Sequence, residues 1–279
     1  GMVFEAGHEE TGEKVALKLT HRILKGYDRA EYLLKTNAKA LEYLDHPSVA
    51  KIKEVNVLGN QEYFYIIREL VNGTRLDKME YDVESMRRSD LRQLLISTIK
   101  LCEGLQAAHN IEYIGEDGKV TYGVMHGNLH RRKIFISSEG QPKIIDFLLG
   151  ELNNDKEVVI GTPKLPLGDR GWSTPENFLP PEVVFGNQKP SKRTDIYSLG
   201  AIFYEILSQR TLAEYVPASP FMMEKLLNQS NPRIPNKIST ALYNAIHPEP
   251  YKRYNTVDEL VRDLLRSTSF LGRILVSLR

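Results

Sequence analysis

Cysteine is almost absent from this chain. Cys102 is the single cysteine among 279 residues, and it lies within a helical pattern of apolar residues. One cysteine excludes an intrachain disulfide framework and a metal centre built from several thiolates. We therefore expect Cys102 to be a core residue and the chain to belong to a reducing, cytoplasmic compartment.

Long apolar runs and an excess of one charge are also missing. No stretch approaches the roughly 20 residues that a membrane span needs, and no charged-then-apolar leader opens the chain. Lys and Arg (37) nearly balance Asp and Glu (36), for a net charge of +1, so no strong field favours nucleic acid or acidic lipid. We expect a soluble protein, or a soluble domain of a longer one, with a sizeable core.

A polar loop, a hairpin pattern and an acidic residue follow one another near the middle of the chain. The apolar runs 134–136 and 143–145 flank a turn that contains Gly140 and Pro142, which predicts a β-hairpin. The polar loop from His126 to Lys133 enters this hairpin, and Asp146 leaves it.

This order resembles the protein kinase family, whose H-R-D-L-x-x-x-N loop is followed by a hairpin and by D-F-G. His126 stands at the His of the loop. The other chemical positions depart from the family pattern. They are Gly127 for Arg, Asn128 for Asp, His130 for the phosphate-contacting Lys, Lys133 for Asn, and Leu148 for the Gly of D-F-G.

Four further landmarks occur in the family's order. The strand that ends in Val15-Ala16-Leu17-Lys18 is similar to V-A-I-K, and the Pro-Pro-Glu that ends at Glu182 is similar to A-P-E. Asp195 opens a helix that resembles D-x-W-S-x-G, and Arg253 ends a pattern that resembles D-P-x-x-R-P. The resemblance implies that Asp195 braces the loop at His126 and that Arg253 is the buried partner of Glu182.

The resemblance covers essentially the whole chain and implies an α+β, two-lobed kinase fold. We expect a small antiparallel β-sheet lobe with one helix over residues 1–72 and a mostly helical lobe over residues 73–279. The spacing from Gly1 to Lys18 implies that the chain begins within the glycine-rich loop. In the first lobe, Asn37 takes the place of the helix Glu, so we expect no ion pair from Lys18 to this helix.

The resemblance also implies an ATP site, used with or without Mg²⁺. Lys18 would hold phosphates, Asp146 would hold a single Mg²⁺, and Arg68 would take the gatekeeper position, pointing either into the cleft or outward. The adenine would contact the side chains or backbone of Val3, Ala16, Glu69, Val71 and Phe135. Two alternatives stay open beside metal-dependent binding: the ammonium of Lys133 replaces a metal ion, or Lys18 and Asp146 pair in an empty cleft.

The exchanged residues indicate that phosphoryl transfer is impaired. The amide of Asn128 cannot take up a proton near neutral pH, and the ammonium of Lys133 repels a divalent cation. We therefore interpret the domain as a pseudokinase, a binding, scaffolding or regulatory module with an unidentified protein partner. The alternative is an atypical, weakly active Ser/Thr kinase that transfers the γ-phosphate of ATP with Lys18 and Asp146. We do not expect nucleic-acid binding, because the basic run 130–133 is short and is explained by the loop.

Overall fold

The two-lobed α+β fold expected from the sequence is confirmed by a computed structural model. An antiparallel sheet with one packed helix forms the first lobe, and helices dominate the second. The structure describes these residues: 2–20, 23–58, 63–114, 118, 120–147, 159–160, 175–185, 188–212 and 216–266. Within those ranges, no helix has both the length and the apolar character that crossing a membrane requires.

The sheet of the first lobe has four strands, β1 (Met2–Gly7), β2 (Lys14–Leu19), β4 (Ile52–Leu58) and β5 (Tyr63–Glu69). Their order in the sheet is β1-β2-β5-β4. Alternate residues of β5 are buried, and this pattern places Phe64, Ile66 and Arg68 on one face. In the register with β2, Ala16 lies opposite Arg68 and Lys18 lies opposite Ile66. Since cross-strand partners share a face, two cationic side chains lie on the buried face. One further strand of this lobe, β3 (Ile23–Lys25), lies outside this sheet.

Helix α1 (Tyr27–Glu42) packs on this sheet through an apolar face. The helix begins after Gly26, whose φ of 75° lies in the left-handed region that glycine adopts at little cost. Ala30, Leu34 and Leu41 are fully or almost fully buried at helical spacing. Asn37 shares this buried face, as the sequence pattern predicted.

The second lobe is built around α4 (Lys192–Ser208), which is buried from Thr194 to Ser208. A helix with apolar side chains on all sides is stable only at the centre of a lobe. Its neighbours are α2 (Arg88–Asn110), α3 (Pro181–Val184), α5 (Pro220–Ser230), α6 (Asn236–Ala245) and α7 (Val257–Arg266).

Short strands lie between the lobes and on the surface. The predicted hairpin forms from β9 (Ile134–Ile136) and β10 (Pro142–Ile144), and β6 (Thr74–Arg75) joins it. A surface hairpin pairs β7 (Glu112–Ile114) with β8 (Val120–Tyr122). The last described strand, β11 (Val159–Ile160), pairs with β3.

A buried ion pair joins the start of α3 to the chain before α7. Arg253 donates from Nη1 to Glu182 Oε1 at 2.7 Å and from Nη2 to Oε2 at 2.8 Å. The guanidinium also donates to the carbonyls of His247 and Pro248, and its carbon lies 4.7 Å from the centre of the Tyr197 ring. The pair therefore anchors α3 to the core of the second lobe.

Replacing Arg253 by Met should destabilise the domain by about 3–5 kcal/mol, because the change leaves Glu182 as an uncompensated, nearly buried charge. Equilibrium urea denaturation measures this loss. The control is Arg262→Met, since Arg262 is half exposed in its pair with Asp258, and a change there should cost less than about 1 kcal/mol. Equal losses in the two variants would contradict the structural role of Arg253.

Candidate functional site

The carboxylate of Asp195 holds the backbone of the loop that begins at His126. The amides of His126 and Gly127 each donate to Asp195 at 2.8 Å, and His109 Nε2 lies 2.8 Å from the same carboxylate. Burial is the largest single influence and raises the pKa of Asp195, but His109, His126 and the Gly127 amide together outweigh burial, so the net pKa is lowered. Gly127 has a φ of 68°, a conformation that glycine supplies without strain. The sequence predicted this brace, and the structure places its members together.

The β9–β10 hairpin brings Lys133 and Asp146 to one point. Lys133 directly precedes β9, and Asp146 follows β10 by two residues. The amide of Ile145 donates to the carbonyl of Lys133 at 2.9 Å, which fixes the two ends of the hairpin side by side. Asp146 itself has a φ of 68°, a left-handed conformation that is uncommon outside glycine and turns its carboxylate towards the first lobe.

Three cations surround the carboxylate of Asp146. Lys18 Nζ lies 2.6 Å and Lys133 Nζ 2.5 Å from Oδ2, while Arg68 Nε lies 3.7 Å from Oδ1. We call Lys18, Arg68 and Lys133 the cation cluster. All four side chains are less than one fifth exposed. With three positive charges and one negative charge, this buried group carries an excess of two positive charges.

Burial and neighbouring charges displace the pKa values of these groups. Burial raises the pKa of Asp146, but the ammonium groups of Lys133 and Lys18 outweigh it and hold that pKa well below its usual range. For Lys18, burial is the largest influence and lowers the pKa to about 8, although Asp146 opposes the change. Burial also lowers the pKa of Arg68. With a pKa of about 8, Lys18 is mostly protonated at pH 7 and loses its proton as the pH rises further.

The loop itself offers no base. Asn128 is half-buried, and its backbone N–H donates to His126 Nδ1 at 3.2 Å. His130 is almost fully buried, and burial, reinforced by the charge of Lys133, lowers its pKa to about 2. His130 is therefore neutral at pH 7 and adds no positive charge for a phosphate.

The residues predicted to surround an adenine differ widely in burial, and Ala16 lies opposite Arg68 in the sheet. Ala16 is fully buried, Phe135 and Val71 are half-buried, and Val3 is exposed on the edge strand. Arg68 points inward and donates from Nη1 to the carbonyl of Glu69 at 2.9 Å.

This contact decides between the two directions that the sequence left open for Arg68. The hydrogen bond from Arg68 also uses the carbonyl of Glu69, a backbone group that the resemblance assigns to an adenine. The carboxylate of Glu69 pairs with Lys143 at 2.7 Å, so the residue after Arg68 is held by a second cation.

Comparison with known proteins identifies the family. The protein kinase domain family matches residues 1–269. This chain belongs to that family. Curated kinase relatives include a probable serine/threonine-protein kinase of Streptomyces coelicolor, 22% identical over 94% of this chain, and one of Clostridium perfringens, 25% identical over 94%. The chain spans 37% and 36% of the lengths of these two relatives.

A solved structure supports the fold assignment. The kinase domain of Mycobacterium tuberculosis PknI, in a variant form, superposes with a TM-score of 0.61 at 14% identity, over 95% of this chain and 89% of that one. At this level of identity the likeness concerns the fold alone.

The residues around Asp146 bear on whether the Mg²⁺ that kinases use could bind here. Mg²⁺ requires an octahedral set of oxygen ligands, whereas the described residues contain no group of three or more His, Cys, Asp or Glu side chains suited to a metal. Oδ2 of Asp146 already receives two ammonium groups, and Lys133 stands where kinases have a metal-binding Asn. Within the described part of the chain Oδ1 has no hydrogen-bond partner, but Arg68 lies beside it. Mg²⁺ does not fit this arrangement.

Two other predicted positions complete the comparison with a kinase. Asn37 is buried, and the partner that Lys18 finds is Asp146 rather than a residue of α1. Leu148, predicted in place of the Gly of D-F-G, lies outside the described residues.

Sequence reasoning missed the contact between Arg68 and Asp146. One signal was available, since the alternation of β5 places Arg68 on the same face as Phe64 and Ile66. Burial of that face predicts an inward guanidinium, which then requires an anionic partner.

The lowered pKa of Lys18 predicts a rise in stability at alkaline pH. Between pH 8 and 10.5 the unfolded chain holds a proton that the folded chain has lost, so the free energy of unfolding increases with pH. The expected increase is on the order of 3 kcal/mol, and urea denaturation at several pH values measures it.

Two variants test this assignment. Lys18→Met should remove most of the rise, whereas Lys14→Met, an exposed lysine of the same strand, should keep it. A rise of the same size in Lys18→Met would show that another group titrates.

Proposed function

We propose that this kinase-fold domain is a pseudokinase. It binds nucleotide phosphates without a divalent metal and acts through a protein partner rather than by phosphoryl transfer. The observation that carries the proposal is the 2.5 Å contact between Lys133 Nζ and Asp146 Oδ2. The ammonium group of Lys133 therefore occupies the position beside the Asp146 carboxylate at which a metal ion would be coordinated.

The loss of the base supports the same conclusion independently of the metal. Kinases orient the substrate hydroxyl with an Asp in this loop, and Asn128 cannot accept a proton at neutral pH. Loss of a general base lowers a rate by a factor of about 10²–10⁴. His130 is neutral and buried, so it adds no charge to stabilise a transferring phosphoryl group.

The charge of the cation cluster supports binding of an anion. A buried group with two excess positive charges is unfavourable unless a counter-anion is supplied. A triphosphate provides several charges and oxygen acceptors, and charge-assisted hydrogen bonds from Lys and Arg are stronger than neutral ones. Lys18 and Lys133 are the natural donors, because both already converge on one carboxylate oxygen.

The position of Arg68 indicates that the phosphates of a bound nucleotide, and not its base, supply most of the binding affinity. Nη1 of Arg68 donates to the carbonyl of Glu69, so an adenine amino group would have to share this acceptor with a charged donor or displace it. A hydrogen bond from a charged donor is worth about 1.5–3 kcal/mol. We therefore expect weak discrimination between ATP and an inorganic chain of three phosphates.

A role in protein binding is supported by what the fold retains. The pairs Glu182–Arg253 and Asp195–His109 preserve the kinase architecture although the chemical groups have been exchanged. Large apolar side chains are exposed on the second lobe, with Phe185 83% and Phe221 72% accessible. Exposed apolar side chains of this size are common at protein interaction sites.

A weakly active Ser/Thr kinase is the second candidate, and one atom favours it. Oδ1 of Asp146 is buried and has no hydrogen-bond partner among the residues that the structure describes, and this oxygen could accept a metal ion. The loop backbone is also held by Asp195. This candidate requires Lys133 to leave Asp146.

A phosphotransfer assay separates the two candidates. The purified domain, radiolabelled ATP and a basic protein substrate, with Mg²⁺ or Mn²⁺, should give no more transfer than Lys18→Ala or Asp146→Asn. An active bacterial kinase domain serves as the positive control. A transfer signal in the parent chain that either variant abolishes would establish the weak kinase and refute the pseudokinase.

Calorimetric titration in the presence of EDTA tests the metal-free phosphate site. ATP and tripolyphosphate should both bind, with dissociation constants within about tenfold of each other, and Lys133→Met should weaken both by about tenfold to a hundredfold. Arg132→Met is the matched control, because Arg132 is the exposed neighbour that faces Asp77 at 3.6 Å. Binding that requires Mg²⁺, or that is unchanged in Lys133→Met, would contradict the proposal.

A further inference from the structure

A cavity with mostly apolar walls, which we call the apolar cavity, lies in the helical lobe. Its volume is about 160 Å³, and neither Asp146 nor the cation cluster forms any part of its wall. The wall comes from β9, the segment after β6, and the facing sides of α2 and α4. Its principal side chains are Leu76, Met79, Leu94, Ile136, Ile202 and Ile206.

The polar groups in this wall already have partners. Thr98 Oγ1 donates to the carbonyl of Leu94 at 2.9 Å, and the Tyr81 hydroxyl lies 3.8 Å from the sulfur of Met79. Ser97 is half-buried and Gln93 is exposed, so these two residues mark the rim. A trapped water needs two to four polar partners, and the interior of the apolar cavity does not supply them.

We propose that the apolar cavity binds an uncharged, apolar molecule of about the size of one aromatic ring. An apolar cavity of about 150 Å³ in an unrelated protein stays dry and takes up benzene or xenon, and the cavity here has a similar volume and lining. A charged molecule is excluded, because the wall offers no counter-charge.

The position of the apolar cavity connects it to the cleft. Ile136 lies on β9 one residue after Phe135, and Leu76 follows β6, which pairs with β9. Arg131 donates to the carbonyls of Leu76 and Met79 and pairs with Glu205 at 2.9 Å. A bound ring would therefore contact the strand that leads from Lys133 without entering the phosphate site.

Methyl NMR on the isoleucine-labelled domain tests the proposal with toluene as the probe. Saturable shifts should appear at Ile136, Ile202 and Ile206, and they should be absent at Ile238 and Ile246, which are buried beyond the cavity wall. Toluene should also raise the melting temperature by about 2–4 °C at concentrations well above its dissociation constant.

Two substitutions at the rim provide matched variants. Ser97→Phe should fill the apolar cavity and abolish the shifts, whereas Ser97→Ala should leave it open and keep them. Absence of saturable shifts in the parent protein, or equal shifts at the remote isoleucines, would refute the site. If Ser97→Phe does not fold, toluene and pyridine are compared on the parent protein. A preference for toluene supports the apolar site, and equal affinity overturns it.

Discussion

The contact on which the cleft depends is that of two lysine ammonium groups with one carboxylate oxygen. Lys18 comes from the sheet of the first lobe and Lys133 from the loop of the second, and both meet Oδ2 of Asp146 within 2.6 Å. Because a buried carboxylate needs compensation, this interaction links the two lobes. The same interaction occupies Oδ2, one of the two oxygens with which Asp146 could bind a divalent metal, and this occupation supports the pseudokinase that we propose.

This domain keeps the architectural contacts of the kinase fold, whereas the residues at the chemical positions of its loop are exchanged. Glu182 and Arg253 form a buried bidentate pair, and Asp195 receives two backbone amides. Each of these groups would be left uncompensated in the interior if its partner were lost, and that loss would destabilise the lobe. Groups that face a substrate carry no such penalty. Asn128 can therefore replace an acid without cost to the fold.

Much of the fold and part of the site could be predicted from the sequence. The hairpin at Gly140 follows from two apolar runs around a turn, and the buried position of Asn37 follows from helical spacing. The direction of Arg68 was left undecided, because local pattern does not say whether an anion lies within reach of a buried guanidinium. The apolar cavity was not predicted at all, since it arises from packing between helices that are distant in sequence.

The sequence by itself determined the kinase frame and the absence of a loop base, because landmark spacing and the identity of Asn128 are local properties. Tertiary structure decided where the charges of Lys18, Lys133 and Arg68 go. Long cationic side chains have many rotamers of similar energy, so their positions depend on a partner supplied by another element. That partner is Asp146, more than 120 residues from Lys18 in the chain, and only the folded protein brings the two together.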